Sequence, residues 1–391
     1  MVSLAEHEAR YGGMPLRVSA DELLRRVAAS GLTGRGGAGF PTATKLDAVR
    51  GRRRRPIVVA NGAEGEPPSG KDKVLLAYAP HLVLDGAAIA ARIVGATRII
   101  VAAAAAARTP LDRALAERRR EGVEMHSALV PDRFIAGEET ALVQLLNGGP
   151  ALPTYTPPRP YERGIEGAPT VILNVETLAH LALIVRFGAD WFRQAGTNEE
   201  PGSALVTVSG AVRRPGVYEI ELGTALSGLM ETAGQDGEVQ AYLIGGYFGT
   251  WLSAPHARGV RLSNRSLAAR GAALGARAIV ALPSGACGIV ETARVARYLA
   301  EQGAGQCGPC INGLPAIADM LERLVRNRGE GIDLGLLRRR FAHVAGRGAC
   351  RHPDGAVGLI ASALDVFAPE LERHLSGQRC TGNERQILPI P

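Results

Sequence analysis

The apolar positions of this 391-residue chain change period twice, and the changes divide it into three stretches. Up to residue 197, short apolar runs alternate with segments whose apolar residues recur at helical spacing. Pro56-Ile57-Val58-Val59-Ala60 and Thr97-Arg98-Ile99-Ile100-Val101 read as buried strands. Residues 73–94 between them read as helix, and residues 43–49 open another. Pro169-Thr170-Val171-Ile172-Leu173-Asn174 reads as a strand, followed by a polar turn and a helix. Such alternation predicts a layered α/β domain. The proline-rich stretch 150–160 is expected to be extended, since a residue before proline is steered out of the helical region.

The second stretch, 198–284, changes character. Ala204-Leu205-Val206-Thr207-Val208-Ser209-Gly210 and Val217-Tyr218-Glu219-Ile220 face each other across Arg213-Arg214-Pro215-Gly216, a hairpin signal. A small β-rich domain with one helix is expected here. The third stretch, 285–391, returns to helical periodicity, with helices read at 317–325, 334–344 and 357–375.

Candidate chemistry begins in the loop Gly31-Leu32-Thr33-Gly34-Arg35-Gly36-Gly37-Ala38-Gly39-Phe40-Pro41-Thr42. Its glycines let the backbone turn sharply, expose its N–H groups and approach a flat or phosphorylated ligand. The helix that follows would aim its positive end at that ligand. Asn61-Gly62-Ala63-Glu64-Gly65-Glu66-Pro67 follows the first strand directly, where α/β sheets place ligand contacts. Gly137-Glu138-Glu139-Thr140 opens a helix with paired carboxylates, and Asn174-Val175-Glu176-Thr177 opens another. Taken singly, the first reads rather as an acidic surface turn and the other two as helix caps.

Composition narrows the classes. Hydrophobic residues make up 46% and aromatics only 4%, so Ala and Gly fill much of the interior. The net charge of +7 comes from arginine clusters at 52–55, 118–120 and 338–340, which read as solvated faces. Without interleaved aromatics or a nucleic-acid motif they argue against DNA or RNA binding and for steering toward an acidic protein partner. The longest apolar run, 99–107, is too short to span a bilayer, and the first ten residues carry no apolar signal core. Five cysteines argue against a disulfide framework and for a reducing, cytoplasmic setting. Cys307-Gly308-Pro309-Cys310 with the distant Cys350 suits an iron–sulfur cluster or zinc. Cys287 and Cys380 read as small structural residues.

In their order, these motifs resemble those of the flavoprotein, NADH-binding subunit of respiratory complex I. The resemblance extends to the diaphorase subunits of NAD-linked hydrogenases and formate dehydrogenases. It covers nearly the whole chain and includes Lys71-Asp72, Pro80-His81-Leu82 and, like an SLBB β-grasp module, Arg214-Pro215-Gly216-Val217-Tyr218. It implies an α/β FMN-binding domain (1–197), an SLBB-like domain (198–284) and a helical iron–sulfur domain (285–391). It also implies an FMN site made by Gly34, Arg35, Gly36, Gly37, Ala38, Gly39, Phe40, Lys45, Asn61, Glu64, Gly137, Glu138, Asn174 and Thr177. Glu66 and Glu139 match positions facing the nicotinamide, as does Phe40, and Cys307, Cys310 and Cys350 match ligands of a [4Fe–4S] cluster. The function implied is NAD(P)H oxidation at FMN, with single electrons leaving through iron–sulfur to other redox subunits. Those partners would be a ferredoxin-like or thioredoxin-fold iron–sulfur protein, within a complex that can lie on the inner face of a membrane.

The chain also departs from that pattern. The family's first cluster cysteine falls at Ala304, so three thiolates remain; a [3Fe–4S] cluster, or a fourth ligand such as His352 or Cys287, is the expected consequence. Leu46 and Ala48 replace aromatics, Ala63 replaces an Asp, and Leu173 replaces the first of two Asn. These changes support a second reading, of a relay or scaffold subunit without nucleotide turnover.

Overall fold

The computed structural model describes residues 2–14, 18–118, 123–326, 332–378, 382 and 386–391. Two units are distinguished. Met1–Gly65, Gly70–Leu205 and Glu219–Gly223 form the first; Glu66–Ser69, Val206–Tyr218 and Thr224–Pro391 form the second.

The first unit is built on four parallel strands: β1 (Ile57–Gly62), β2 (Arg98–Ala103), β3 (Glu124–Leu129) and β4 (Thr170–Asn174). Their order in the sheet is β3-β2-β1-β4. Alternate residues enter two cores. Val58, Ala60, Ile99, Val101, Val171 and Leu173 face one side, and Ile57, Val59, Ile100, Ala102 and Ile172 the other. A parallel sheet covered on both faces needs such continuous apolar strands, which is why the sequence shows runs rather than alternation. Helices α1 (Leu4–Tyr11), α2 (Ala20–Ser30), α3 (Thr42–Asp47), α4 (Lys71–Tyr78), α5 (Pro80–Val94) and α6 (Arg108–Glu117) precede β3. Helix α7 (Glu139–Leu146) precedes β4, and α8 (Val175–Phe187) and α9 (Ala189–Arg193) follow it.

The helical run expected at 73–94 is in fact two helices, α4 and α5, bent by 96°. Pro80 opens α5 and forces Ala79 out of the helical region, to φ −133° and ψ 49°. The two halves therefore share one apolar period but not one axis. Among the described residues no single helix is long and apolar enough to cross a membrane. Where α5 crosses α8, a Cβ on Gly86 would lie 1.9 Å from the carbonyl oxygen of Leu178. Beside that crossing sits Asp85, buried against His7 of α1 at 2.7 Å, Arg118 at 2.6 Å, and Arg186 of α8. Arg118 is thus a core residue, correcting the solvated-face reading of its cluster; Arg119 and Arg120 lie outside the described residues.

The second unit carries most of a five-stranded mixed sheet of order β6-β5-β9-β7-β8. Its strands are β5 (Ser203–Gly210), β6 (Gly216–Glu221), β7 (Val239–Ile244), β8 (Thr250–Ser253) and β9 (Ala278–Pro283). Strands β5 and β6 are neighbours, as the hairpin signal required. Three helices accompany the sheet where one was expected: α10 (Leu226–Ala233), α11 (Ala254–Ala257) and α12 (Asn264–Ala268). The last two are a turn or so each, too short to show a period. Helices α13 (Gly288–Gln302), α14 (Leu314–Arg326), α15 (Leu334–Val344), α16 (His352–Val366) and α17 (Ala368–Leu375) complete the unit. The helix expected at 357–375 breaks at Phe367, before the Pro369 that opens α17.

Candidate active site

The sheet order fixes where a ligand can sit in the first unit. From β1 the chain moves to β2 and β3 on one side, then returns to place β4 on the other. The connections leaving β1 and β4 therefore diverge, and open α/β sheets bind ligands in the crevice beyond such strand ends. Two asparagines stand at that point, since Asn61 of β1 is in register with Asn174 of β4.

The glycine loop reaches the same place. Its neck is closed by the Thr33–Pro41 bridge, by Gly34 N–H donating to Phe40 O at 2.8 Å and by Thr42 N–H donating to Leu32 O at 3.0 Å. Arg35 is 0% exposed. Its guanidinium donates to the carbonyls of Thr33, Pro201 and Ser203, and its own N–H to Thr177 Oγ1 at 2.8 Å. The arginine thus turns inward and holds the loop, while Gly36, Ala38 and Phe40 face out. Among the described residues no partner meets the amides of Gly36, Gly37, Ala38 and Gly39. Gly37 and Gly39 take φ of +124° and +63°, so four amides open together without a Cβ at the two strained positions.

The remaining contacts close a ring around this opening. A Cβ on Gly36 would stand 3.1 Å from the Asn174 Cβ. Asn174 Nδ2 donates to the Asn61 carbonyl at 3.4 Å, and Asn61 Nδ2 to the Gly137 carbonyl at 2.9 Å. Two residues on, Glu139 pairs with Lys45 of α3 at 3.0 Å, which leads back to the loop. The structure thus brings Gly34 through Phe40, Lys45, Asn61, Gly137, Glu139, Asn174 and Thr177 to one place. Glu138 lies on this ring but is spent as a cap: one carboxylate oxygen accepts from the Thr140 and Ala141 amides at 2.9 and 3.0 Å. Glu64 likewise accepts from the Asp72 and Lys73 amides at the start of α4. Glu66 belongs to the second unit, where its carboxylate accepts the Tyr247 N–H at 2.7 Å beside Gly246.

The open amides, the polar asparagine pair and the cation Lys45 suit a flat cofactor with an anionic tail. Such a lining is compatible with FMN.

In the second unit, Cys307 and Cys310 share a tight turn in which the Cys310 N–H donates to the Cys307 carbonyl at 3.0 Å. Burial pushes the Cys310 thiol up to about 11, and the nearby Cys307 and Cys350 thiols add to the rise. The Ala304 N–H hydrogen-bonds to the Cys310 sulfur and opposes it. A buried thiol whose ionisation two neighbouring thiols oppose is what a cationic metal centre relieves. Among the described residues no three His, Cys, Asp or Glu side chains close on one point as a single ion requires. A cluster does not need that focus, because each thiolate binds a different iron. The suggested substitutes are engaged elsewhere. His352 Nε2 donates to the Leu299 carbonyl at 2.7 Å, and burial holds this imidazole below its usual range. The Cys287 sulfur is 3.3 Å from His374 Nε2. Cys380 lies outside the described residues.

Three family models match the chain. The Nuo51 FMN-binding domain covers residues 27–183, the SLBB domain 205–234, and the NADH-ubiquinone oxidoreductase-F iron-sulfur binding region 291–374. The second of the F-type subunits of NADH-quinone oxidoreductase in Rhizobium meliloti (strain 1021) is 33% identical over 96% of this chain and 95% of its own length. The chain belongs to the F-type flavoprotein family of NADH-quinone oxidoreductases. The corresponding NADH-quinone oxidoreductase protein of Streptomyces coelicolor is 31% identical over 96% of this chain and 88% of its own. Among solved structures, an NAD+-reducing [NiFe]-hydrogenase in the air-oxidized state superimposes with a TM-score of 0.86 at 32% identity. That match covers 92% of this chain, which spans 63% of the hydrogenase chain.

Within this F-type flavoprotein, the matched regions assign the α/β part to FMN, the small sheet to SLBB and the helical end to iron–sulfur. Sequence reasoning misses one part of the crevice. Lys71, Asp72 and Glu176 are all buried and bonded to Asn174 or to each other. Their signal is present in the motifs Lys71-Asp72 and Asn174-Val175-Glu176, but lies in two segments that nothing in the sequence joins.

Proposed function

We propose that this chain oxidises NADH at an FMN held beyond β1 and β4, and passes the electrons singly through iron–sulfur to partner redox subunits. The observation that carries the reading is the ring that joins the glycine loop to the paired asparagines at the switch point. When bound, FMN supplies the capacity to take up a hydride and release electrons one at a time.

The chain's own residues supply the rest. The open amides of 36–39 and the Lys45 ammonium hold the anionic part of the cofactor. Asn61 and Asn174 form the rigid polar wall of the crevice at the strand ends. Glu139, partly exposed beside Lys45, is the residue of this crevice that we assign to the nicotinamide. Cys307, Cys310 and Cys350 hold the cluster. The partners we infer are a ferredoxin-like or thioredoxin-fold iron–sulfur protein, in an assembly on the cytoplasmic side of a membrane; the quinone-oxidoreductase names of the relatives support that reading.

Two experiments test this function. Gly37→Val places a β-branched side chain at φ +124°, in the middle of the open amides. The variant is expected to fold yet purify without flavin colour; full flavin occupancy would move the site elsewhere. The second concerns position 304, whose N–H already bonds the Cys310 sulfur. Ala304→Cys adds a fourth thiolate beside the other three, and the cluster is expected to survive air markedly longer. Electron paramagnetic resonance before and after exposure measures this, and zinc in anaerobically prepared wild type would refute the cluster.

A further inference from the structure

Beneath Asn174, one buried cation meets two buried carboxylates, with a third nearby on the amides that open α4. Lys71 Nζ lies 2.6 Å from Asp72 Oδ1, 2.9 Å from Glu176 Oε2 and 3.4 Å from Asn174 Oδ1. Asn174 Nδ2 donates to Asp72 Oδ2 at 2.7 Å, and the Glu176 N–H donates to Asn174 Oδ1 at 3.0 Å. Glu176 Oε1 accepts the Leu205 N–H at 2.8 Å. The third acid, Glu64, takes the amides of Asp72 and Lys73. All four charged side chains are at most 6% exposed.

A purely structural ion pair needs one acid for each base, and even then its desolvation is barely repaid. Here Lys71 alone touches two acids, Asp72 also feels the charge of Glu64, and Glu176 lies 3.8 Å from His180 as well. Burial pushes Asp72 up to about 6, with Glu64 and Glu176 adding to the rise and Lys71 opposing it. The cap that Glu64 makes on α4 does not require the other acids. What the cluster does reach is Asn174, whose oxygen and nitrogen are both fixed by it. The other side of Asn174 meets the glycine loop at Gly36 and the Asn61 carbonyl.

We propose that Lys71, Asp72 and Glu176 are positioning residues that orient Asn174 and, by the charges they place behind it, set the reduction potential of the cofactor in the crevice. This rests on the FMN reading above. Reduction places more electron density on a flavin. A buried negative charge nearby disfavours the reduced form, and a buried positive charge favours it. By linkage, the change in potential equals the change in relative affinity for the reduced and oxidised cofactor.

The test uses the full chain loaded with FMN, with the potential read by dye-equilibrated spectral titration and oxidised-FMN affinity by fluorescence. Asp72→Asn and Glu176→Gln each remove a negative charge and are expected to raise the potential. A roughly tenfold shift in the affinity ratio is expected, about 30 mV for a two-electron couple. Lys71→Met removes the cation and is expected to lower the potential by a similar amount. Lys71→Arg keeps the charge and should leave it in place. A merely structural role would weaken FMN binding in every variant without opposite signs. Equal potentials in all variants, or shifts of one sign, overturn the inference. If Lys71→Met does not fold, the two carboxylate variants decide: no rise in either refutes it. Failure of the wild type to bind FMN refutes the underlying reading instead.

Discussion

Gly86→Ala is expected to destabilise the first unit by about 3 kcal/mol or more, the upper end of overpacking costs. The added methyl would stand 1.9 Å from the Leu178 carbonyl oxygen, 2.4 Å from its carbon and 2.9 Å from its Cα. All three are backbone atoms, so no rotamer change relieves the clash. The crossing of α5 over α8 must open instead. Helix α8 begins at Val175, directly after Asn174, and carries Thr177, so opening also displaces two members of the ring around the crevice. Urea denaturation followed by circular dichroism measures the loss, and retained flavin measures the displacement. Gly358→Ala is the matched control. It sits inside α16 with no atom within 4 Å of the added methyl, and is expected to gain up to about 1 kcal/mol from helix propensity. A loss below about 1 kcal/mol for Gly86→Ala would mean that the helices part freely there.

Asp85→Ala is expected to cost about 3–5 kcal/mol, as breaking a buried ion pair does when it strands its partners. The stranded groups are the guanidiniums of Arg118 and Arg186, both nearly closed to solvent, and the ring of His7. Burial alone would raise the Asp85 carboxyl. The His7 hydrogen bond and the charges of Arg118 and Arg186 outweigh it and hold the group below its usual range. A depressed carboxylate contributes fully above its unfolded value, near 3.8, and loses that contribution as pH falls through the lower folded value. The wild type should therefore lose stability below about pH 4 more steeply than the variant does. Urea midpoints at pH 7 and pH 3 test both parts. A pH-7 difference under about 1 kcal/mol would show that the arginines find other partners.

These positions mark what the sequence could and could not reveal. The strands of the first unit were legible because a sheet buried on both faces writes continuous apolar runs, and 57–60 and 99–101 are such runs. The glycine loop was legible because amides in a left-handed backbone need residues without a Cβ. The asparagine pair was visible only as two separate turns. Its meaning depends on the register that sets Asn61 beside Asn174, 113 positions away. The same distance problem hid the inward turn of Arg35, whose carbonyl partners Pro201 and Ser203 lie in a different stretch. In sequence Arg118 reads like the rest of its arginine cluster, yet Asp85 draws it inside. Periodicity also ran through the breaks at Pro80 and Phe367, because a bent helix pair can keep its apolar face against one core. Where closeness to Cys350 in the sequence offered His352 as a spare ligand, the Leu299 carbonyl on α13 holds the ring.

The inward arginine has a consequence for how the protein is made. Its bonds to Thr33, Pro201 and Ser203 shape the loop from within, using only the polypeptide. The entropy of ordering those glycines is therefore lost when the chain folds, not when the cofactor arrives. The loop's shape is thus written into the polypeptide itself, and cofactor stripped from the folded protein is expected to be replaceable without unfolding the chain.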